Sequence, residues 1–473
     1  MPNLRVIYDN AADRATALTA STSVGALVPA NLKNDMKSVV WRSASAAAGV
    51  TPSATLDLSW TTAEMVAGVA LAYCNLTSQA LVRVRGTNEA PATNLVPGSE
   101  SLSTAYGWSG ASVAATTKFY AGVVPYQEVA KALSSTNENR GASLGTVAAG
   151  AYVTLTVALR AGTVSAAGVG LYDSTAASWG ANADSSALVL AGPGALSRSS
   201  GGLFNVSGLT ATDDTLVQIT RLYQTSGTGY VLLYPGTAGS STAGQSVLAT
   251  RVQAEAGLVP TSYYPTTSAA ATRPLGYMDS WQSYALNTGW VSACAAPPLG
   301  LWNWGAAPLG ANAYAYGGGA TGRAWVPAPA AVRALRIEIT DAGNPGGYIE
   351  ASRLVCGAYW EPQRNADYGA SLQVVDASKN YRNDAGDLMS DAGTVSSKLQ
   401  LSMSKLQLAD ATTLYGLLRG NGIIRPVFVS LFPEDANPAR EQAHQLYGKL
   451  VSTPAMTLPF FNVAAATLEI ESV

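Results

Sequence analysis

Short runs that alternate apolar and polar residues, each cut off by Gly, Pro, Asn or Ser, constrain this chain more than any other feature. Val153, Leu155, Val157 and Leu159 alternate with Thr154, Thr156 and Ala158. Leu335, Ile337 and Ile339 alternate with Arg336, Glu338 and Thr340, and Val82 and Val84 with Arg83 and Arg85. A period of two sends one set of side chains to a buried face and the other to water, so each run predicts a strand. Turn residues at short intervals predict a sandwich architecture. Helical patterns are few and lie near the C-terminus. One has Asp410 as N-cap, Leu414, Leu417 and Leu418 as its apolar face and Gly420 as its stop; a short second one covers 440–447. The expected fold class is mostly β, with a small α+β C-terminal region.

Charge narrows the function. The 473 residues hold 28 Lys+Arg and 30 Asp+Glu, a net charge of −2, and only 12% are charged. A nucleic-acid binder needs a basic surplus to displace phosphate counterions, and none exists. A coiled coil needs far more charge, and a disordered chain far less apolar surface. A weakly charged surface suits sheets that bury area against neighbours rather than a lone soluble monomer. No run of about 18 apolar residues predicts a membrane helix. The start, Met1-Pro2-Asn3-Leu4-Arg5 with Asp9 and Asp13 following, lacks a signal-peptide pattern. Cys74, Cys294 and Cys356 are three and far apart, which fits a reducing cytoplasm and no disulfide framework. Cys74 and Cys356 are expected as buried thiols if the fold brings them together.

Composition shifts at 87–93 and at 265–274, both turn-rich. The stretch between is rich in Ala, Gly, Ser and Thr, whereas the flanks hold most of the tryptophans. This contrast predicts one domain interrupted by another, since insertions are tolerated at exposed loop tips. The first flank carries Val39-Val40-Trp41-Arg42-Ser43, Ala54-Thr55-Leu56-Asp57-Leu58 and Val82-Arg83-Val84-Arg85-Gly86. The second carries Ala334-Leu335-Arg336-Ile337-Glu338-Ile339 and Arg353-Leu354-Val355-Cys356-Gly357. Together they resemble the two halves of a discoidin-like (galactose-binding-like) β-sandwich, over 1–93 plus 268–365. Trp281, Trp302, Trp304 and Trp360 read as packing residues.

The interrupting stretch ends on Ala249-Thr250-Arg251-Val252-Gln253-Ala254-Glu255, then Tyr263-Tyr264-Pro265, and opens with Asn94-Leu95-Val96 before Tyr106-Gly107-Trp108. It resembles carbohydrate-binding-like modules of tailed-bacteriophage tail proteins, which implies a jelly-roll sandwich over 94–267. Strands are expected at 216–222, 230–234 and 247–255. Parity puts Arg251, Gln253 and Glu255 on one face. Such a polar row can hydrogen-bond sugar hydroxyls, or Arg251 and Glu255 can simply pair. Trp108, Trp179, Tyr223 and Tyr230 are the candidate stacking platforms, with core packing as the alternative for each.

Residues 366–473 carry expected strands at 371–376, 398–403, 425–432 and 467–473. The strings Gly420-Asn421-Gly422-Ile423-Ile424-Arg425-Pro426 and Leu468-Glu469-Ile470-Glu471 resemble the C-terminal part of phage tail-tip and baseplate (distal-tail-like) proteins. That resemblance implies a tail-assembly domain, a homo-oligomeric ring, partners among tube, hub and fibre proteins, and a place in the virion tail after assembly in the host cytoplasm.

Motifs of chemistry fail in context. Gly141-Ala142-Ser143-Leu144-Gly145 fits a nucleophile elbow, which needs a strand before the Ser and a helix after it; a polar loop over 134–140 is expected before it and a strand over 146–159 after it, and His444 is the only histidine. Gly317-Gly318-Gly319-Ala320-Thr321-Gly322 lacks the helix that a dinucleotide fingerprint requires. Asn383, Asp384, Asp387 and Asp391 lack EF-hand spacing. Zinc spacing is absent too, Asp213-Asp214 reads as a turn, and no carboxylate pair for glycoside cleavage stands out. The expectation is therefore no enzyme, no cofactor, no metal and no nucleic acid. The resemblance implies a structural tail-tip scaffold that displays a module for weak attachment to bacterial surface polysaccharide, and that is the expected function. The alternatives are a virion-associated glycan-degrading enzyme and a spacer whose inserted module binds nothing.

Overall fold

The computed structural model describes residues 3–113, 118–120, 124–134, 138–175, 184–189, 196–200, 203–258, 260–273, 284–294, 320–391, 393–435 and 437–473. Trp179, Trp281, Trp302 and Trp304 lie outside them. The protein is mostly β, with its α-helices, Leu408–Asn421 and Pro438–Ala443, near the C-terminus. The chain forms two compact units: Met1–Asn88 with Tyr284–Val473, and Glu89–Ser283.

In the first unit, two strands of 22 residues, Ser53–Cys74 and Ala320–Asp341, run antiparallel through the middle of a seven-stranded sheet. Their ladder breaks between Trp325 and Ala330, where Pro327 and Pro329 have no N–H to donate, and again between Val332 and Ala334. Leu335, Ile337 and Ile339 share a core with Leu56, Leu58, Val82 and Val84, as the alternation predicts. Ala80–Thr87 pairs with Leu286–Ser292, setting Gly86 beside Leu286. The chain thus leaves this sheet and returns to it on adjacent strands, which is the geometry that tolerates a long excursion.

A second seven-stranded sheet of the same unit orders Arg5–Ile7, Val427–Ser430, Gln445–Leu450, Val463–Ser472, Val395–Gln407 and Ser371–Asp376, with Thr457–Phe460 on Val463–Ser472. Residues 366–473 therefore do not complete their sheet alone; the N-terminus supplies its edge strand. Leu414 and Leu418 of the long helix pack on Leu399, Leu401, Leu468 and Ile470. The helix starts one turn before the expected cap. Asp410 lies inside its first turn and accepts from the Gln363 amide at 2.9 Å, and the helix ends at Gly422 with φ 54° rather than at Gly420. The expected helix over 440–447 is corrected. It stops at Ala443, and Gln445–Leu450 is a strand, because Leu446 and Tyr447 pair with Val429 and Phe428 and bury there. Trp360 is buried in this core. Ile7, Trp325, Phe428 and Tyr447 pack between the two sheets, where Glu441 accepts from Arg323 at 2.7 Å and from the Trp325 indole at 2.8 Å.

The second unit is a sandwich. Strands Tyr152–Ala161, Thr215–Leu222 and Ser246–Ala256 belong to one sheet of eight. Leu203–Ser207, Ala166–Asp173, Gly227–Pro235, Arg140–Val147 and Trp108–Gly110 form a sheet of five, in that order. One core built from Leu155, Val157, Val169, Leu171, Val217, Val231 and Leu233 lies between them. Thr93–Asn94 pairs with Ala271–Thr272, so both ends of the unit meet in a short ladder.

Candidate functional site

The sheet of five builds an aromatic face by simple parity. Val231 and Leu233 enter the core, so Tyr230, Leu232 and Tyr234 point the other way. On the neighbouring strand Val169 and Leu171 enter the core, and Gly168, Gly170 and Tyr172 point outward. The register then sets Tyr172 opposite Tyr230, Gly170 opposite Leu232 and Gly168 opposite Tyr234. On the far side of Gly227–Pro235, Ser143 lies opposite Tyr230 and Gly141 opposite Leu232. Asn205 lies opposite Gly168 at the other margin.

The glycines let the large side chains lie flat. A Cβ at Gly141 would sit 2.5 Å from Leu232 Cδ2, and one at Gly168 would sit 3.0 Å from Asn205 Oδ1 and 3.1 Å from Tyr234 Cβ. Tyr172, Tyr230 and Leu232 are half-buried, and burial pushes the Tyr234 phenol above its ordinary pKa despite a hydrogen bond with Asn139. The result is a shallow face of Tyr172, Tyr230 and Leu232 with polar margins, with Tyr234 buried at its edge.

Of the residues named from sequence, Tyr230 stands on this face. Trp108 is in the sandwich core, its indole donating to the Pro97 carbonyl at 2.7 Å. Tyr223 is fully buried there too, and burial pushes its phenol up to about 12. Neither offers a ring face to a ligand; their neighbours alternate so that both rings point inward.

The expected polar row is also corrected. Arg251 has φ 53° at a bulge where Thr156 faces Gln253 but Ala158 faces Thr250, so parity changes there and Arg251 leaves the row. Gln253 and Glu255 do share a face, but they are buried under the segment that follows. Gln253 donates to the Thr261 carbonyl at 3.0 Å and accepts from the Tyr264 amide at 2.7 Å, while Glu255 accepts from the Thr261 amide at 2.7 Å. They fasten the exit of the unit. Sequence reading missed Tyr172, although the alternation around Leu171 points to it.

Other candidates fall into structural roles. Ser143 lies within a strand, its hydroxyl accepting from the Gly145 amide at 3.2 Å. His444 Nδ1 is 2.8 Å from the Arg440 carbonyl. Asp213 closes a turn with Thr210, and Asp214 accepts from Arg160 at 2.6 Å and from the Tyr126 hydroxyl. Asn383 and Asp387 close a hairpin turn through each other's backbone and side chains. Among the described residues no group of three or more His, Cys, Asp or Glu is placed to hold a metal ion.

All three cysteines are buried free thiols. Cys74 faces Ala351 across its ladder, five positions from Cys356, which is about 16 Å along a strand, so those two do not meet. Cys74 donates instead to the Ala320 carbonyl at 3.4 Å and Cys294 to the Thr321 carbonyl at 3.7 Å, and the neighbouring Cys74 together with burial holds the Cys294 thiol well above its ordinary pKa.

No protein family and no curated protein matches the chain. Among solved structures it is similar to the CBM22-1 xylan-binding domain of Paenibacillus barcinonensis Xyn10C, at 10% identity and TM-score 0.23, over 37% of this chain and 99% of that one. It is likewise similar to the CBM22-1–GH10 modules of Clostridium thermocellum Xyn10B, at 9% identity and TM-score 0.23, over 38% of this chain and 30% of that one. A CBM4 structure aligns at 17% identity and TM-score 0.21, over 36% of this chain and 97% of that one.

Proposed function

We propose that this protein is a structural component of a tailed-bacteriophage tail tip or baseplate. Copies assemble around the tail axis, and the Glu89–Ser283 unit of each displays a face for weak attachment to bacterial surface polysaccharide. The observation that carries the binding reading is the outward Tyr172–Tyr230 pair with Leu232 beside it. A pyranose has an apolar C–H face that a tyrosine ring covers, and hydroxyls at its rim that need polar partners. Ser143 and Asn205, at the two margins, supply them. A face this shallow binds weakly, and a ring of copies compensates because linked sites raise effective concentration.

The tail-tip reading is supported by the strings at 420–426 and 468–471 that resemble such proteins, and by the sparse charge. The protein is read as a binder and not a catalyst; Ser143 lying in a strand rather than on a strand-to-helix turn favours this.

The test is binding of the full-length chain to an array of bacterial surface polysaccharides. Retention is expected, and Tyr230→Ala should weaken it about tenfold, the loss typical of a central aromatic contact. Absence of binding to every polysaccharide would leave a spacer. Release of oligosaccharide would establish an enzyme.

A further inference from the structure

Two uncovered apolar surfaces, opposite in charge, lie on the Met1–Asn88 with Tyr284–Val473 unit. The first is an arm. Ser371–Asp376 is the edge strand of its sheet, with Leu372 and Val374 exposed, and no strand pairs with its outer side among the described residues. It runs into a hairpin, Lys379–Arg382 and Leu388–Asp391, exposed along its whole length, on which Tyr381, Leu388 and Met389 stand in solvent. The hairpin is acidic at its tip: Asp384 and Asp387 stand in the turn, whereas Asp391 at the base lies opposite Lys379. A two-stranded hairpin is marginal in water by itself, and an open apolar edge invites another chain.

The second surface lies where the long helix ends. Tyr415, Ile423 and Ile424 are exposed, Ile424 at 77%. Arg419 and Arg425 flank them, both exposed, and 411–433 contains no acidic residue. Neither these arginines nor Asp384 and Asp387 have an ion-pair partner among the described residues.

We propose that these surfaces are the two sides of one head-to-tail contact between copies of this chain. Tyr381 and Met389, which the register sets side by side on one face of the hairpin, lie on Ile423 and Ile424 of the next copy, and Asp384 and Asp387 at the tip face Arg419 and Arg425. The occupant is a second copy because both complementary halves are present on one chain and both are left open. Two different patches meeting make a heterologous interface, which closes into a ring when the rotation permits. This inference rests on the reading of the protein as a ring-forming scaffold and names the surface that forms it.

The experiment is sedimentation velocity of the full-length chain over a concentration series. It compares wild type, Asp384→Lys with Asp387→Lys, Arg419→Glu with Arg425→Glu, and all four together. Wild type should be oligomeric. Each paired reversal should weaken association about 10- to 100-fold, since like charges then meet, and the fourfold variant should regain it. Thermal melts of all four should coincide, because the residues are exposed. A wild type that stays monomeric overturns the contact, as does an oligomer indifferent to both reversals or one the fourfold variant fails to restore. Neither polysaccharide nor particles enter this measurement, so its failure is distinct from failure of the tail-tip reading.

Discussion

Glu338 shows how single side chains hold the central sheet. Burial opposes its charge, but Arg83 and Arg85, across the ladder at 2.6 and 2.8 Å, more than offset this and keep its carboxyl below the usual range. A carboxylate with a depressed folded pKa stabilises above its unfolded pKa, and that stability is lost as pH falls through the folded value. The melting temperature of wild type should therefore drop on acidification, and Glu338→Gln should start lower at pH 7 and show a smaller drop. Equal acid sensitivity in the two would contradict the assignment. Gln253 acts differently. It is buried and holds the Thr261 and Ser262 carbonyls and the Tyr264 amide. Gln253→Ala leaves these groups unpaired and should cost about 1–3 kcal/mol, read by denaturant unfolding, with polysaccharide binding retained. Loss of binding without loss of stability would return Gln253 to the ligand face.

Elements whose pattern is local were legible in the sequence. The Leu335–Ile339 and Val153–Leu159 alternations became strands because each residue needed only its own parity to find the core. The same rule, applied to Tyr172, Tyr230 and Leu232, would have yielded the aromatic face. Elements decided by distant partners were not legible. Arg5–Ile7 is a strand because Val427–Ser430 lies beside it, more than 400 residues away in sequence. Gln445–Leu450 follows a helix of six residues, and a pattern that short does not separate helix from strand until Phe428 and Val429 supply the ladder. Arg251 left its row because a bulge changes parity without a glycine to announce it. Trp108 and Tyr223 illustrate the remaining limit: an aromatic in a small-residue sandwich reads equally as platform or core, and only the packed sheets distinguish them.

On the scale of the whole molecule, one chain carries two kinds of surface. The Glu89–Ser283 unit offers a tyrosine face between glycines, and its ends meet at Thr93–Asn94 and Ala271–Thr272. The other unit offers an open edge, an exposed hairpin with an acidic tip and a basic apolar patch, none of which serves its own core. The proposed scaffold would polymerise through one unit and touch polysaccharide through the other. The most direct measurement is immunogold electron microscopy of purified phage particles with antibody against the full-length chain. Gold at the tail end farthest from the capsid is the predicted result. Particles that carry no label, or label on the capsid alone, would contradict the account.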